Sequence, residues 1–157
     1  IDELVANGAL LNRHYTYIFC SPTRSSFLSG RWPIHVNQEN PPGVGVPGGI
    51  DLRMTLISEK LKTANYSTYM VGKGHIGARS AANLPINRGF DYHLGFLSGG
   101  EDHFTQRSYE TKNFVDLWEN DGPAYGKNGT YSCSLYGDKA VDIVNEHDTS
   151  NPMFMHV

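Results

Sequence analysis

The chain has 157 residues, a formal net charge of −3 and two cysteines. No apolar run approaches the ~18 residues of a membrane-spanning helix, and the slightly acidic balance argues against a broad nucleic-acid-binding surface. Two cysteines outside a Cys-x-x-Cys pair exclude a disulfide framework and a thiolate zinc site, while 17 glycines and 8 prolines indicate many loops.

Hydrophobic periodicity and the positions of Gly and Pro divide the chain into alternating elements. In chain order, they predict the end of a helix at 1–8, a strand at 9–17, a short helix at 21–28, a loop at 31–50, a helix at 55–64, a strand at 66–71, an irregular region at 77–131, a helix at 132–147 and a strand at 153–157. Alternation of strands and helices predicts an α/β layer fold with a mostly parallel sheet.

Both ends of the sequence have the pattern of interrupted elements. The first residues have helical spacing without an initiator Met or a signal peptide, and the last five form an apolar strand that runs to the final residue. We therefore expect residues 1–157 to be part of a single N-terminal catalytic domain, truncated at both ends.

Cys20 immediately precedes the predicted helix at 21–28. The unpaired N–H groups and the dipole of a helix N-terminus favour an anion at this place. Arg24 lies one turn further on, and helical side chains lean toward the N-terminus, so its guanidinium can return toward Cys20 and bind a phosphate or sulfate. The alternative is a buried structural thiol beside a surface arginine.

Residues 20–31, Cys-Ser-Pro-Thr-Arg-Ser-Ser-Phe-Leu-Ser-Gly-Arg, resemble the signature of the type I sulfatases, Cys-x-Pro-Ser/Thr-Arg followed by Thr/Ser-Gly-Arg. In that family the cysteine is oxidised after translation to formylglycine, whose hydrated aldehyde is the nucleophile. The resemblance implies that Cys20 is the formylglycine precursor and a metal ligand. It also implies that Arg24 holds the formylglycine and helps to neutralise the sulfate.

A second polar group, Lys73 and His75, follows the predicted strand at 66–71. In extended backbone these two side chains share one face, beyond the strand end where open α/β sheets bind ligands. An ammonium and an imidazole there can hold an anion and move a proton. A polar turn without function, or a dinucleotide-binding loop, is also compatible, because residues 72–77 spell Gly-x-Gly-x-x-Gly.

The same six residues are similar to the sulfatase sequence Gly-Lys-Trp-His-Leu-Gly, with Gly74 in place of the usual Trp. By this resemblance Lys73 and His75 are catalytic and substrate-binding residues: Lys73 binds the sulfate and His75 handles protons. The change at Gly74 keeps open a third possibility, a catalytically impaired sulfatase-like binding protein.

The resemblance covers essentially the whole chain, and residues 87–106 look like the arylsulfatase B subgroup (N-acetylgalactosamine-4-sulfatases and close relatives). It implies the alkaline-phosphatase-like fold, with a mostly parallel sheet between helices that is incomplete in this fragment. Residues 130–144 resemble the helix before the strand that leads to the second active-site histidine of the family. We expect that histidine beyond residue 157 and interpret His156 as a strand residue.

The resemblance further implies an arylsulfatase-like sulfuric ester hydrolase that requires Ca²⁺ or another divalent cation such as Mg²⁺. Its acidic metal ligands are expected outside this sequence, so the fragment by itself is expected to be inactive. The implied partners are a sulfated small molecule or glycosaminoglycan as substrate and the formylglycine-generating enzyme during maturation, with neither nucleic acid nor a membrane span. The implied location is lysosomal or secreted.

Two sequons for N-glycosylation, at Asn65 and Asn128, fit a glycoprotein. Two is about the number that chance gives for this content of Asn, Ser and Thr. Asn65 also suits the end of the predicted helix at 55–64.

Overall fold

The computed structural model describes residues 1–40, 44–110 and 114–157. Its α-helices are α1 (Asp2–Asn7), α2 (Cys20–Ser29), α3 (Pro33–Val36), α4 (Ile57–Lys62) and α5 (Ser132–Glu146). Its strands are β1 (Ser67–Val71), β2 (Tyr92–Gly95), β3 (Trp118–Glu119), β4 (Gly122–Pro123) and β5 (Met153–His156). Two 3₁₀ helices, Ala81–Asn83 and Pro85–Arg88, precede β2.

The strands form one sheet in the order β4-β3-β2-β1-β5. The central strand β1 is parallel to both neighbours, with Tyr69 opposite Tyr92 of β2 and Met155 of β5. The β2–β3 and β3–β4 pairs are antiparallel. The sheet is therefore parallel at β2-β1-β5 and mixed as a whole, because the short hairpin β3–β4 adds its strands in the opposite sense.

Helices cover both faces of this sheet. Met70 of β1 packs in a buried cluster with Leu28 of α2, whereas the next residue, Val71, packs in a second cluster with Tyr136 and Ile143 of α5. Successive strand residues point to opposite faces, so β1 contributes to both clusters. This arrangement confirms the predicted α/β layering.

Most predicted elements are present, with boundaries shifted by one or two residues, but three assignments change. The predicted strand at 9–17 is wrong: these residues form no ladder with another strand, and their side chains are exposed. The predicted loop at 31–50 contains α3, and the irregular region at 77–131 contains β2, β3 and β4. The remaining parts of these two predictions that fall on 41–43 and 111–113 lie outside the described residues.

No helix in the described part of the chain is long and apolar enough to cross a membrane.

His93 of β2 is fully buried, and neither ring nitrogen has a hydrogen-bond partner. Burial disfavours the charged imidazolium and lowers the pKa of His93 from 6.5 to about 4. In the unfolded chain the same side chain binds a proton near its ordinary pKa. Between pH 6.5 and 4 the unfolded state therefore binds more protons, and stability falls as the pH falls through this window.

We predict that His93→Phe reduces this acid sensitivity. The histidine contributes up to about 3 kcal/mol of lost stability between pH 6.5 and 4, and a phenyl ring at this position does not titrate. Urea unfolding of the full-length protein at pH 7 and pH 4.5 measures the difference. The exposed His35 provides the control His35→Gln, which should leave the pH dependence unchanged; equal pH dependence in wild type and His93→Phe would contradict the assignment.

Candidate active site

Helix α2 places Cys20 at its first residue, one position earlier than the sequence predicted. The helix is capped by Gly30, whose φ of 65° lets its N–H donate a hydrogen bond to the Ser26 carbonyl oxygen and close the last turn. The half-buried Cys20 thiol donates to Asn40 Oδ1 across 3.6 Å, and the same oxygen accepts the Ser21 amide at 3.2 Å. The thiol is thus held at a helix N-terminus, where an anion is favoured.

The Arg24 side chain joins α2 to the end of β1. Its Nη1 donates to the Lys73 carbonyl oxygen at 2.9 Å, a contact between residues far apart in the sequence. Burial lowers the pKa of the Arg24 guanidinium, and the nearby Cys20 opposes that shift. An arginine remains charged in proteins, so a fixed positive charge lies one helical turn from Cys20.

The two polar side chains after β1 both lie against the loop after β2. Lys73 Nζ donates to the Gly99 carbonyl oxygen at 2.5 Å. His75 is buried, and a Cβ built on Gly99 would lie 2.8 Å from His75 Cε1 and 3.1 Å from Nε2. His75 reaches this position with a φ of 53°, in the left-handed region and not in the extended backbone expected from the sequence.

Both Lys73 and His75 lie close to Gly99. Its amide donates to Glu110 Oε1 at 3.0 Å, while Glu110 Oε2 accepts the Ser108 hydroxyl at 2.8 Å. A Cβ at Gly99 would approach Glu110 Oε1 to 2.6 Å as well as the imidazole. Glycine suits this position because the space that a Cβ would occupy lies against both the Glu110 carboxylate and the buried His75 ring.

The dinucleotide-binding alternative does not fit the backbone after β1. No helix begins at Gly77, as that motif requires. Gly77 has a φ of 100°, and a Cβ there would lie 2.7 Å from the Gly48 carbonyl oxygen. The third glycine of the pattern therefore permits a close crossing of two loops.

Gly74, where the resemblance expects Trp, is buried and donates its amide to the Phe96 carbonyl oxygen at 2.8 Å. A Cβ at this position would lie 3.2 Å from that oxygen. The glycine thus lets the segment after β1 lie directly against the segment after β2.

A cavity of about 950 Å³ opens beside the N-terminus of α2. Cys20, Arg24 and His156 line it together with aromatic side chains of α2 and the preceding segment, whereas Lys73 and His75 do not. The structure therefore brings Arg24 and Cys20 into one cavity and connects Lys73 to them through its carbonyl group.

The residues present do not form a cage for a hard cation. Within 1–40, 44–110 and 114–157, no group of three or more His, Cys, Asp or Glu side chains could hold a metal ion. Calcium needs about six to eight oxygen ligands. The acidic residues near the loops have structural roles instead; for example, Asp102 accepts hydrogen bonds from the Phe104 and Thr105 amides.

Sequence reasoning missed three residues of this region: Asn40, Gly99 and His156. His156 Nε2 lies 3.4 Å from Arg24 Nη1, although the sequence indicated only a strand residue. The alternation along β5 places His156 on the same face as Phe154, which packs on the α2 side of the sheet. That pattern is the signal that could have placed His156 on the α2 side of the sheet.

Comparisons with known proteins find arylsulfatases among the relatives of this chain. Mouse (Mus musculus) arylsulfatase J is 35% identical over 161 aligned residues, covering 100% of this chain and 27% of its own length. Human (Homo sapiens) arylsulfatase A is 36% identical over 100 residues, covering 60% of this chain and 19% of its own. The chain thus spans about a quarter or less of these two relatives.

Solved structures show the same fold. The crystal structure of Ps i-CgsB in complex with k-i-k-neocarrahexaose matches with a TM-score of 0.75 and 29% identity, covering 88% of this chain and 33% of that chain. The structure of BT4656 in complex with its substrate D-glucosamine-2-N,6-O-disulfate matches with a TM-score of 0.67 and 21% identity, over 92% of this chain and 25% of that one. At that identity the second match shows the fold alone.

The family described as Sulfatase matches residues 1–157, the whole of the sequence. This chain belongs to the sulfatase family.

Proposed function

We propose that this chain is the N-terminal part of the catalytic domain of a sulfuric ester hydrolase, which cleaves a sulfate ester into an alcohol and sulfate. One observation carries the proposal: the Arg24 guanidinium is anchored on the Lys73 carbonyl while it lies beside Cys20. This contact joins the two motifs that resemble the active-site sequences of the family.

Cys20 fits a nucleophile formed by oxidation to formylglycine. Its thiol lies in an open cavity at a helix N-terminus, with a fixed cation one turn away. The hydrated aldehyde supplies one hydroxyl that attacks sulfur and a second whose deprotonation expels sulfate. The formylglycine-generating enzyme is the maturation partner that this chemistry requires.

The chain's own cations supply the electrostatic part of the reaction. Arg24 offsets the charge that develops on the sulfuryl oxygens, and its anchored Nη1 fixes its direction. Lys73 directs one N–H to the Gly99 carbonyl, leaving the ammonium two further N–H groups for a sulfate oxygen. His75 is the candidate for accepting the proton of the second hydroxyl, the step that expels sulfate and restores the aldehyde.

Ca²⁺, or another divalent cation such as Mg²⁺, is the cofactor that the family resemblance suggests, with modified Cys20 as one ligand. The described residues do not complete such a site, so none of the roles above depends on the ion. The substrate that the family resemblance suggests is a sulfated small molecule or a glycosaminoglycan, and the structural relative that holds k-i-k-neocarrahexaose supports a carbohydrate. The arylsulfatase relatives support a lysosomal or secreted glycoprotein, and the sequon residues Asn65 and Asn128 are exposed.

We predict that Cys20 carries formylglycine when the full-length protein is produced with the modifying enzyme. Mass spectrometry of the tryptic peptide 14–24 should show the thiol replaced by an aldehyde, because the Pro and Arg context matches the family signature. Cys20→Ala should abolish aryl-sulfate hydrolysis, since a methyl side chain has no thiol to be converted into the aldehyde. An active preparation with unmodified Cys20 would refute the mechanism, and sulfate binding without turnover by the modified protein would indicate a binding protein instead.

We also predict that Gly99→Ala lowers kcat by about 100-fold. The new Cβ would lie 2.6 Å from Glu110 Oε1 and 2.8 Å from His75 Cε1, so the Glu110 carboxylate and the His75 ring must move apart from it, and His75 leaves its position. The matched control is Gly122→Ala in β4, where a Cβ meets no atom within 4 Å. Steady-state aryl-sulfate hydrolysis by both full-length variants tests the role, and equal activity in the two would show that this loop is not part of the site.

A further inference from the structure

His156 is the last residue of β5, and its half-buried ring faces α2. The ring lies 5.6 Å from the Phe27 ring, centroid to centroid, at an interplanar angle of 34°. Its Nε2 lies 3.4 Å from Arg24 Nη1. Together with Cys20 and Arg24, it lines the cavity at the N-terminus of α2.

Arg24 Nη1 carries two hydrogens, and the structure offers two acceptors for them. One is the Lys73 carbonyl oxygen at 2.9 Å and the other is His156 Nε2. Within the described ranges of the chain, Arg24 Nε and Nη2 have no hydrogen-bond partner. A guanidinium held at one nitrogen keeps its remaining N–H groups available for an oxyanion.

We propose that His156 is a positioning residue for sulfate ester hydrolysis: its neutral imidazole accepts a hydrogen bond from Arg24 Nη1 and holds the guanidinium toward Cys20. This inference rests on the proposed function, because it assigns the sulfate to Arg24. It requires Nε2 to carry no proton. Burial and the charge of Arg24 both lower the pKa of His156, which favours the neutral ring.

A backbone carbonyl alone fixes the distance of the guanidinium but leaves rotation about the Nη1 contact. The second acceptor comes from β5, so the plane of the guanidinium is defined both by the segment after β1 and by β5. The Phe27 ring packs against the imidazole of His156 and limits the rotation of that imidazole. The orientation of Arg24 is thus set before a substrate binds, which lowers the entropic cost of binding an anion.

The test compares His156→Phe with His156→Gln in the full-length, formylglycine-containing protein. Phe keeps a ring against Phe27 but cannot accept a hydrogen bond, whereas the Gln side-chain oxygen can. We expect Phe to lower kcat/KM by about 10-fold or more with an unchanged melting temperature, and Gln to recover activity to within about 3-fold of wild type. His156→Leu replaces the Phe variant if that variant does not fold, and His35→Leu on the exposed helix α3 is the control.

Wild-type activity in His156→Phe, or a loss in His156→Gln as large as in His156→Phe, would overturn the inference. A double-mutant cycle with Arg24→Lys adds a second criterion: His156→Phe should cause no further loss in that background, and a full additional loss would show that His156 does not act through Arg24.

Calorimetric titration with inorganic sulfate separates this inference from the proposed function. Weaker sulfate binding by His156→Phe and recovery by His156→Gln would support the positioning role even if wild type hydrolysed no sulfate ester, in which case the proposed function alone would fail. If wild type is active and His156→Phe binds sulfate and turns over substrate as wild type does, the positioning role of His156 is wrong. The proposed function would then still stand.

Discussion

The hydrogen bond from Arg24 Nη1 to the Lys73 carbonyl joins residues 49 positions apart and fixes α2 against the end of β1. It forms because Leu28, one turn further along α2, packs in the same buried cluster as Met70 of β1. Hydrophobic packing therefore sets the position of the helix, and the guanidinium then reaches a carbonyl that lies beyond the last residue of the strand. Cys20, Arg24 and the segment after β1 are brought together by this one docking.

Half-burying a guanidinium costs free energy, which appears as the lowered pKa of Arg24. Hydrogen bonds to a carbonyl and to a neutral imidazole offset part of this cost, but neither acceptor carries a negative charge. Among the described residues no carboxylate forms an ion pair with Arg24. A sulfate ester, which is a tetrahedral monoanion, would supply the missing negative charge beside Cys20, so the electrostatics of the site are completed by the substrate class proposed for it.

The helix at Cys20 and the strand before Lys73 could be predicted because local signals specify them: Gly30 for the helix end, and β-branched and aromatic residues in β1. The hairpin β3–β4 was missed because two-residue strands carry no periodicity. The strand at 9–17 was predicted wrongly because a β-like composition does not supply a pairing partner. His156 was assigned to its strand correctly, but its contact with Arg24 depends on how α2 crosses the sheet, which no local pattern reports.

The groups that hold the two cations are mainly backbone atoms at the carboxyl ends of β1 and β2. Lys73 and Gly99 each present a carbonyl oxygen that no strand partner uses, because the ladder has ended there. Backbone acceptors cannot be removed by substitution, so the contact of Lys73 with Gly99 and that of Arg24 with the Lys73 carbonyl depend on the loop path. The side chain of His156 adds the second contact of Arg24. The loop path in turn depends on Gly74 and Gly99, where a side chain would press on the opposing segment or on His75. Glycine at position 74 brings the two loop backbones into direct hydrogen-bonded contact, with the Gly74 amide on the Phe96 carbonyl. The segment that carries Lys73 and His75 is therefore fixed against the segment after β2 by backbone atoms.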